Sequence, residues 1–201
     1  MKLLAYATAA TLAFAAPAFA KIATGSSVAD MTVVDSNGVT HNLSDFEGKR
    51  VVLEWTNEGC PYVKKHYKTD NMQDLQRDAA ASDTVWLSVI SSAPGKQGHK
   101  TGDEVASWKT KHDVASAAVI IDEAGDMGQA FSARTTPHMY IIDENQTLVY
   151  QGAIDDNSSA NPATVEGATN YVRQAMAELD AGEAVSVSDT QPYGCSVKYA
   201  S

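Results

Sequence analysis

The run Val51-Val52-Leu53-Glu54-Trp55, with Thr56 to Gly59 behind it and Cys60-Pro61 at the end of that loop, constrains this chain more than any other segment. A short, nearly all-apolar run has the content of a strand buried on both faces in the middle of an α/β sheet. Proline is favoured at the first position of a helix, where its missing N–H costs nothing. The segment from Tyr62 to Tyr67 therefore reads as helix, with Cys60 at or just before its N-terminus. A strand–loop–helix unit of this kind belongs to a layered α/β domain. It puts Cys60 at the carboxyl edge of a central strand, where open α/β sheets hold their sites.

The remaining segments extend that unit. Met31–Val34 and Val39–Leu43 flank an Asn37-Gly38 turn and predict a hairpin. Met72, Leu75 and Ala79 mark one helical face, and Val105 and Trp108 begin another. Thr84–Ile90 and Ala118–Asp122 read as strands, and 91–101, with Pro94, Gly95 and Gly98, as a loop. Asp126–Ala133 reads as a short helix, and Met139–Asp143 with Leu148–Gly152 as a second hairpin. Tyr171 to Leu179 gives a closing helix that Gly182 stops. The tail from there to Ser201 shows no periodicity. Strands alternating with helices, then a hairpin and a helix, imply an α/β sandwich with a mixed central sheet and an N-terminal β-hairpin.

The ends and the charge bound the setting. Lys2, the apolar Leu3–Ala16, and Ala18-Phe19-Ala20 after Pro17 have the layout of a secretory signal peptide. The expected organisation is a signal peptide at 1–20 and a single domain with a C-terminal tail at 21–201, exported to a periplasm or secreted. Formal charge is −10, and removal of Lys2 with the signal makes the mature chain −11. So acidic a surface argues against nucleic acid and anionic membrane as partners. No later apolar run is long enough to span a bilayer. The five histidines are scattered and no C-x-x-C occurs. We therefore expect neither a metal site nor a cofactor.

Only two cysteines are present, Cys60 and Cys195. The thiolate is the reactive form, and a helix N-terminus favours negative charge. Lys64, Lys65 and His66 add positive charge one turn on. Arg134 and Glu54 are further polar candidates, each with an equally good reading as an ordinary surface group; His66 and His138 could assist proton transfer, but each reads more readily as a solvated or hydrogen-bonded histidine.

Two motifs give a resemblance to the thioredoxin-like superfamily, over about Val28 to Leu179. The segment Trp55-Thr56-Asn57-Glu58-Gly59-Cys60-Pro61-Tyr62-Val63 resembles the W…C-P-x-C active site, with Val63 in place of the second cysteine. Thr135-Thr136-Pro137-His138 resembles the loop whose cis-proline lies against the active cysteine. The stretch Met31–Trp55 is similar to the redoxin branch, which holds the alkyl hydroperoxide reductase/thiol-specific antioxidant proteins and the TlpA/ResA-type thioredoxins. The resemblance implies a thioredoxin-like fold, helices on both faces of the sheet, and an antioxidant thiol oxidoreductase. Cys60 would attack a peroxide or disulfide, Thr136 and Pro137 would shape the substrate groove, and an external thiol would supply electrons. A TlpA-like activity on protein disulfides is the alternative, and a binding module with an inert thiol is the third reading. The segment before Cys60 departs from the P-x-x-x-T/S-x-x-C pattern of typical peroxiredoxins.

Val63 removes the vicinal partner, so resolution of oxidised Cys60 falls to Cys195 or to an outside thiol. The tail cysteine has two readings: a resolving residue on a mobile segment, or a structural staple. The expectation carried forward is the first.

Overall fold

The structure, a computed structural model, describes residues 21–200. The expected signal peptide at 1–20 lies outside the described residues. The chain runs β1 (Thr32–Val34), β2 (Thr40–Asn42), β3 (Val51–Trp55), α1 (Pro61–Lys68), α2 (Asn71–Ala81), β4 (Val85–Ile90), α3 (Gly102–His112) and β5 (Ala118–Ile121). There follow α4 (Asp126–Ala130), β6 (Thr135–Thr136), β7 (His138–Ile142), β8 (Leu148–Gly152), α5 (Tyr171–Asp180) and β9 (Cys195–Ser196). The central sheet has the order β5-β4-β3-β7-β8. β3 pairs parallel with β4 and antiparallel with β7, so the sheet is mixed, as the element order implied. β1 and β2 form the predicted N-terminal hairpin. Among the described residues no helix is long and apolar enough to cross a membrane.

The sheet buries both faces, and the pleat of β3 sorts its side chains between them. Leu53 and Trp55 join the core on one face, with Val33 from the hairpin, Met127 and Ala130 from α4, Phe131 and Tyr140. Val52 joins the core on the other, with Val63, Met72, Leu75, Val105, Trp108 and Val172 from α1, α2, α3 and α5. All five residues of β3 are buried, which is why its sequence is apolar on both faces except for Glu54. The helical faces expected from Met72, Leu75 and Ala79, and from Val105 and Trp108, are the buried faces of α2 and α3.

The tail departs from expectation. Instead of a loose segment, its last part, from Pro192 to Tyr199, is pinned to the body. β9 pairs antiparallel with β6, with Thr136 opposite Cys195. Val197 N donates to Arg134 O at 3.0 Å, and Ala93 N to Lys198 O at 2.9 Å. The Tyr199 hydroxyl donates to Ala133 O at 2.8 Å. Its ring lies on Gly125 and Gly128, where any side chain would collide with it.

Candidate active site

Cys60 is the N-cap residue of α1, with Pro61 at the first helical position. β3 ends five residues earlier at Trp55, and the antiparallel register pairs Trp55 with His138. That register carries the two residues ahead of β7 to the same sheet end as Cys60. The Thr136–Pro137 peptide bond is cis. The Cys60 thiol lies 3.0 Å from the Thr136 carbonyl oxygen, as a donor. Thr136 is also the residue that β9 pairs with, so the same pairing delivers Cys195 to Cys60. All four residues singled out from sequence, Cys60, Cys195, Thr136 and Pro137, meet at this point. Both thiols are free.

The two sulfurs are shifted in opposite directions. Burial pushes the Cys60 thiol up. Hydrogen bonds from the Cys195 thiol, the Thr136 side chain and the Val63 and Cys195 backbone N–H groups outweigh it and hold Cys60 below its ordinary value. Cys195 is pushed up to about 11, by burial first and then by its hydrogen bond and proximity to Cys60. As a thiol Cys60 donates to the Thr136 carbonyl; on ionising it accepts from the Cys195 thiol instead, so Cys60 is the more acidic of the pair and the nucleophile, while Cys195 keeps its proton.

The positive residues of α1 do not supply this effect. Lys65 and His66 are fully buried and engaged with Asp155 and Tyr193, and neither is among the groups that set the acidity of Cys60. Lys65 Nζ lies 3.2 Å from Asp155 Oδ2 and donates to Asn157 O at 2.8 Å. The His66 ring is held neutral: burial, opposed by Asp155 and aided by Lys65, lowers it to about 4. Backbone and thiol donors replace the lysine charge as the cause of thiolate stabilisation. His138 is buried and serves structure, with its Nδ1 3.3 Å from Arg134 N and 2.9 Å from the Tyr140 hydroxyl. Burial, with help from Arg134, lowers it to about 3. The side chain of Arg134 is exposed, and it is not among the groups that set the acidity of Cys60.

Glu54 is a buried carboxyl on the α1 side of β3. It accepts from the Tyr67 hydroxyl at 2.9 Å, Trp86 Nε1 at 3.0 Å, Gln76 Nε2 at 3.1 Å and Ser88 Oγ at 3.2 Å. Burial raises it and these donors offset only part of the rise. Glu58, next to Gly59, is the opposite case. Burial raises it, but Lys100, Lys111 and His112 at 2.7, 3.2 and 3.1 Å outweigh that and bring it to about 2.

Sequence reasoning missed the roof of the site. Gln97, from the loop after β4, lies so close over Gly59 that a Cβ there would sit 2.5 Å from its Nε2. Asn57 Nδ2 donates to Gln97 O at 3.3 Å and Asn57 Oδ1 accepts from Gly59 N at 2.8 Å. With this loop on one side and the tail on the other, Cys60 has no exposed surface. The remaining missed residue is Tyr193, two before Cys195. Its hydroxyl donates to Asp155 and lies 3.2 Å from His66 Nε2.

Comparison with known proteins agrees with this geometry. The profile of the AhpC/TSA family matches residues 24–151, which include Cys60 and the cis-proline loop but not the tail. No curated protein matches the sequence. Among solved structures the fold is similar to an uncharacterized conserved protein from Geobacillus kaustophilus, with TM-score 0.76 and 21% identity over 89% of this chain and 93% of that one. It is also similar to a hypothetical protein from Sinorhizobium meliloti 1021, with TM-score 0.74 and 19% identity over 90% and 97%. Peroxidoxin BcpB from Mycobacterium tuberculosis gives TM-score 0.50 and 17% identity over 64% and 83%. The chain belongs to the AhpC/TSA family and is a thiol oxidoreductase with the thioredoxin-like fold.

Proposed function

We propose that this is an exported two-cysteine thiol peroxidase, in which Cys60 reduces a hydroperoxide and Cys195 resolves the product. One observation carries the reading: the β6–β9 pairing sets Cys195 against Cys60 as a protonated thiol beside a stabilised thiolate. Export rests on the signal-like layout of residues 1–20.

The chemistry balances in three steps. The Cys60 thiolate attacks the terminal oxygen of the hydroperoxide; an S–O bond forms, the O–O bond breaks, and the alkoxide leaves and is protonated. Cys60 is then a sulfenic acid, oxidised by two electrons. The Cys195 thiol attacks that sulfur; an S–S bond forms, the S–O bond breaks, and the hydroxyl departs as water with the Cys195 proton. An external thiol donor returns two electrons by exchange through a mixed disulfide. Thr136 and Pro137 contribute the wall against which Cys60 sits.

Mature protein, residues 21–201, given hydrogen peroxide and a thiol donor tests this. Turnover is expected, its loss in Cys60→Ser, and a stall after one turnover in Cys195→Ser when the donor is too bulky to reach Cys60. A wild-type protein that leaves hydroperoxide unconsumed but reduces a protein disulfide overturns the peroxide step in favour of thiol–disulfide exchange.

A further inference from the structure

The backbone edge ahead of Pro137 is a strand edge of the type to which extended polypeptides add. Here it is taken by the protein's own tail. Two residues of β9 pair with it, and Gly194, at φ 138°, lies so close that a Cβ would be 2.1 Å from Thr136 O. Tail and edge are thus in direct backbone contact immediately before Cys195, and a second polypeptide has no room there while β9 stays down.

What keeps it down on the Tyr193 side is a buried polar cluster that the redox chemistry does not use. Lys65 is fully buried and Asp155 is 2% exposed. The Tyr193 hydroxyl donates to Asp155 and stands 3.4 Å from Lys65 Nζ and 3.2 Å from His66 Nε2. Lys65 also sits 5.4 Å from the Tyr193 ring centroid, and Tyr62 packs edge-on to that ring at 5.8 Å. One tail side chain therefore satisfies three buried groups from α1 and the segment after β8. Its own backbone is joined through Gly194 to the resolving cysteine.

We propose that Tyr193 is a latch: it positions Cys195 on Cys60 and, by holding β9 on the cis-proline edge, restricts the site to small oxidants and excludes protein disulfides. This rests on the peroxidase reading for the identity of the small oxidant, but not for the exclusion of polypeptides. The exclusion can be read on Cys60 directly. Its thiolate attacks an activated disulfide, forming a mixed disulfide and releasing the chromophoric thiolate, so sulfur and electrons balance with no further reagent.

The experiment compares two activated disulfides of the same chromophore on reduced mature protein. One is a small symmetric aryl disulfide; the other is a peptide of about ten residues, long enough to pair with an edge strand, carrying the chromophore on a central cysteine. In wild type the peptide should react far more slowly. In Tyr193→Ala the ratio of peptide to small-disulfide rates should rise about tenfold or more, the worth of a lost hydrogen bond to a charged group. Closure of the Cys60–Cys195 bond after one equivalent of hydrogen peroxide should slow by a similar factor. Tyr193→Phe keeps the ring and loses only the hydroxyl; it carries the same test if the alanine variant does not fold, with the same rise of about tenfold or more expected from the lost bond to Asp155. An unchanged ratio in a folded variant overturns the latch. A ratio that rises while hydrogen peroxide leaves wild-type Cys60 unoxidised upholds the latch and overturns the peroxidase step instead.

Discussion

Replacing Lys65 by Met keeps the apolar stem and removes the ammonium, leaving Asp155 charged in a place that is 2% exposed. Asp155 would retain the Tyr193 hydroxyl and the Asn157 N–H, and would lose the only cation within 3.5 Å among the described residues. The Asn157 carbonyl would lose its 2.8 Å donor as well. Breaking a buried ion pair from one side costs about 3–5 kcal/mol, because the remaining charge keeps its desolvation penalty. For a domain of this size each kcal/mol moves Tm by about 2–4 °C, so the reduced protein should melt about 6–20 °C lower. The assay is thermal unfolding followed by circular dichroism on reduced wild type, Lys65→Met, Asp155→Asn and the double variant. Asp155→Asn leaves the Lys65 ammonium buried and should cost a similar amount, whereas the double variant should recover part of the loss. The two losses should therefore fall short of additive by about 1 kcal/mol or more. Lys65→Met within about 1 kcal/mol of wild type, or strictly additive losses, would refute the reasoning, because the charges would then not be dehydrated and paired.

Other outcomes follow from the same structure. The alkylation rate of Cys60 should level off below the ordinary thiol pKa of about 8.5, and Cys195→Ala, which removes a donor to the thiolate, should shift that plateau to higher pH. In Gly194→Ala, the new Cβ meets Thr136 O, so β9 should lift and Cys195 should be alkylated about tenfold faster or more, as expected for a strand displaced by about 1–3 kcal/mol of strain. Acid should destabilise the fold early. His66 and His138, near 4 and 3, are neutral when folded, so below about 6.5 the unfolded chain binds more protons and stability falls. By pH 5 the two together should remove about 2–4 kcal/mol, read as a fall in the urea midpoint. Glu58 adds a loss only further down, as pH drops from about 4.5 through about 2.

The part of this architecture carried by local pattern was legible in the sequence. β3 announces itself because a strand buried on both faces runs nearly all apolar, with Glu54 as its one polar residue. Pro61 marks the start of α1, and Thr136-Pro137 marks the loop beside it. The tail was not legible, because its order comes from single side chains reaching distant elements: Tyr193 into the Lys65–Asp155 cluster and Tyr199 onto Gly125 and Gly128. A two-residue strand such as β9 leaves no periodicity to read. The basic residues of α1 misled for a related reason. Sequence shows that Lys65 and His66 are near Cys60 along the chain, but the helix turns them toward Asp155, which is ninety residues from Lys65. The origin of the lowered Cys60 pKa therefore moves from side-chain charges on its own helix to hydrogen-bond donors: Thr136 and Cys195, brought by β6 and β9, and the Val63 N–H of α1.

The central claim is that Cys60 and Cys195 form one redox couple within a single chain. Reduced mature protein should be treated with one equivalent of hydrogen peroxide, quenched with an alkylating agent and weighed intact, then digested without reduction. The account predicts a monomer lighter by about 2 Da, both cysteines protected from alkylation, and one peptide pair joined through Cys60 and Cys195. A product with Cys60 carrying added oxygen while Cys195 is still alkylated, or a disulfide-linked dimer in place of the internal bond, would contradict it.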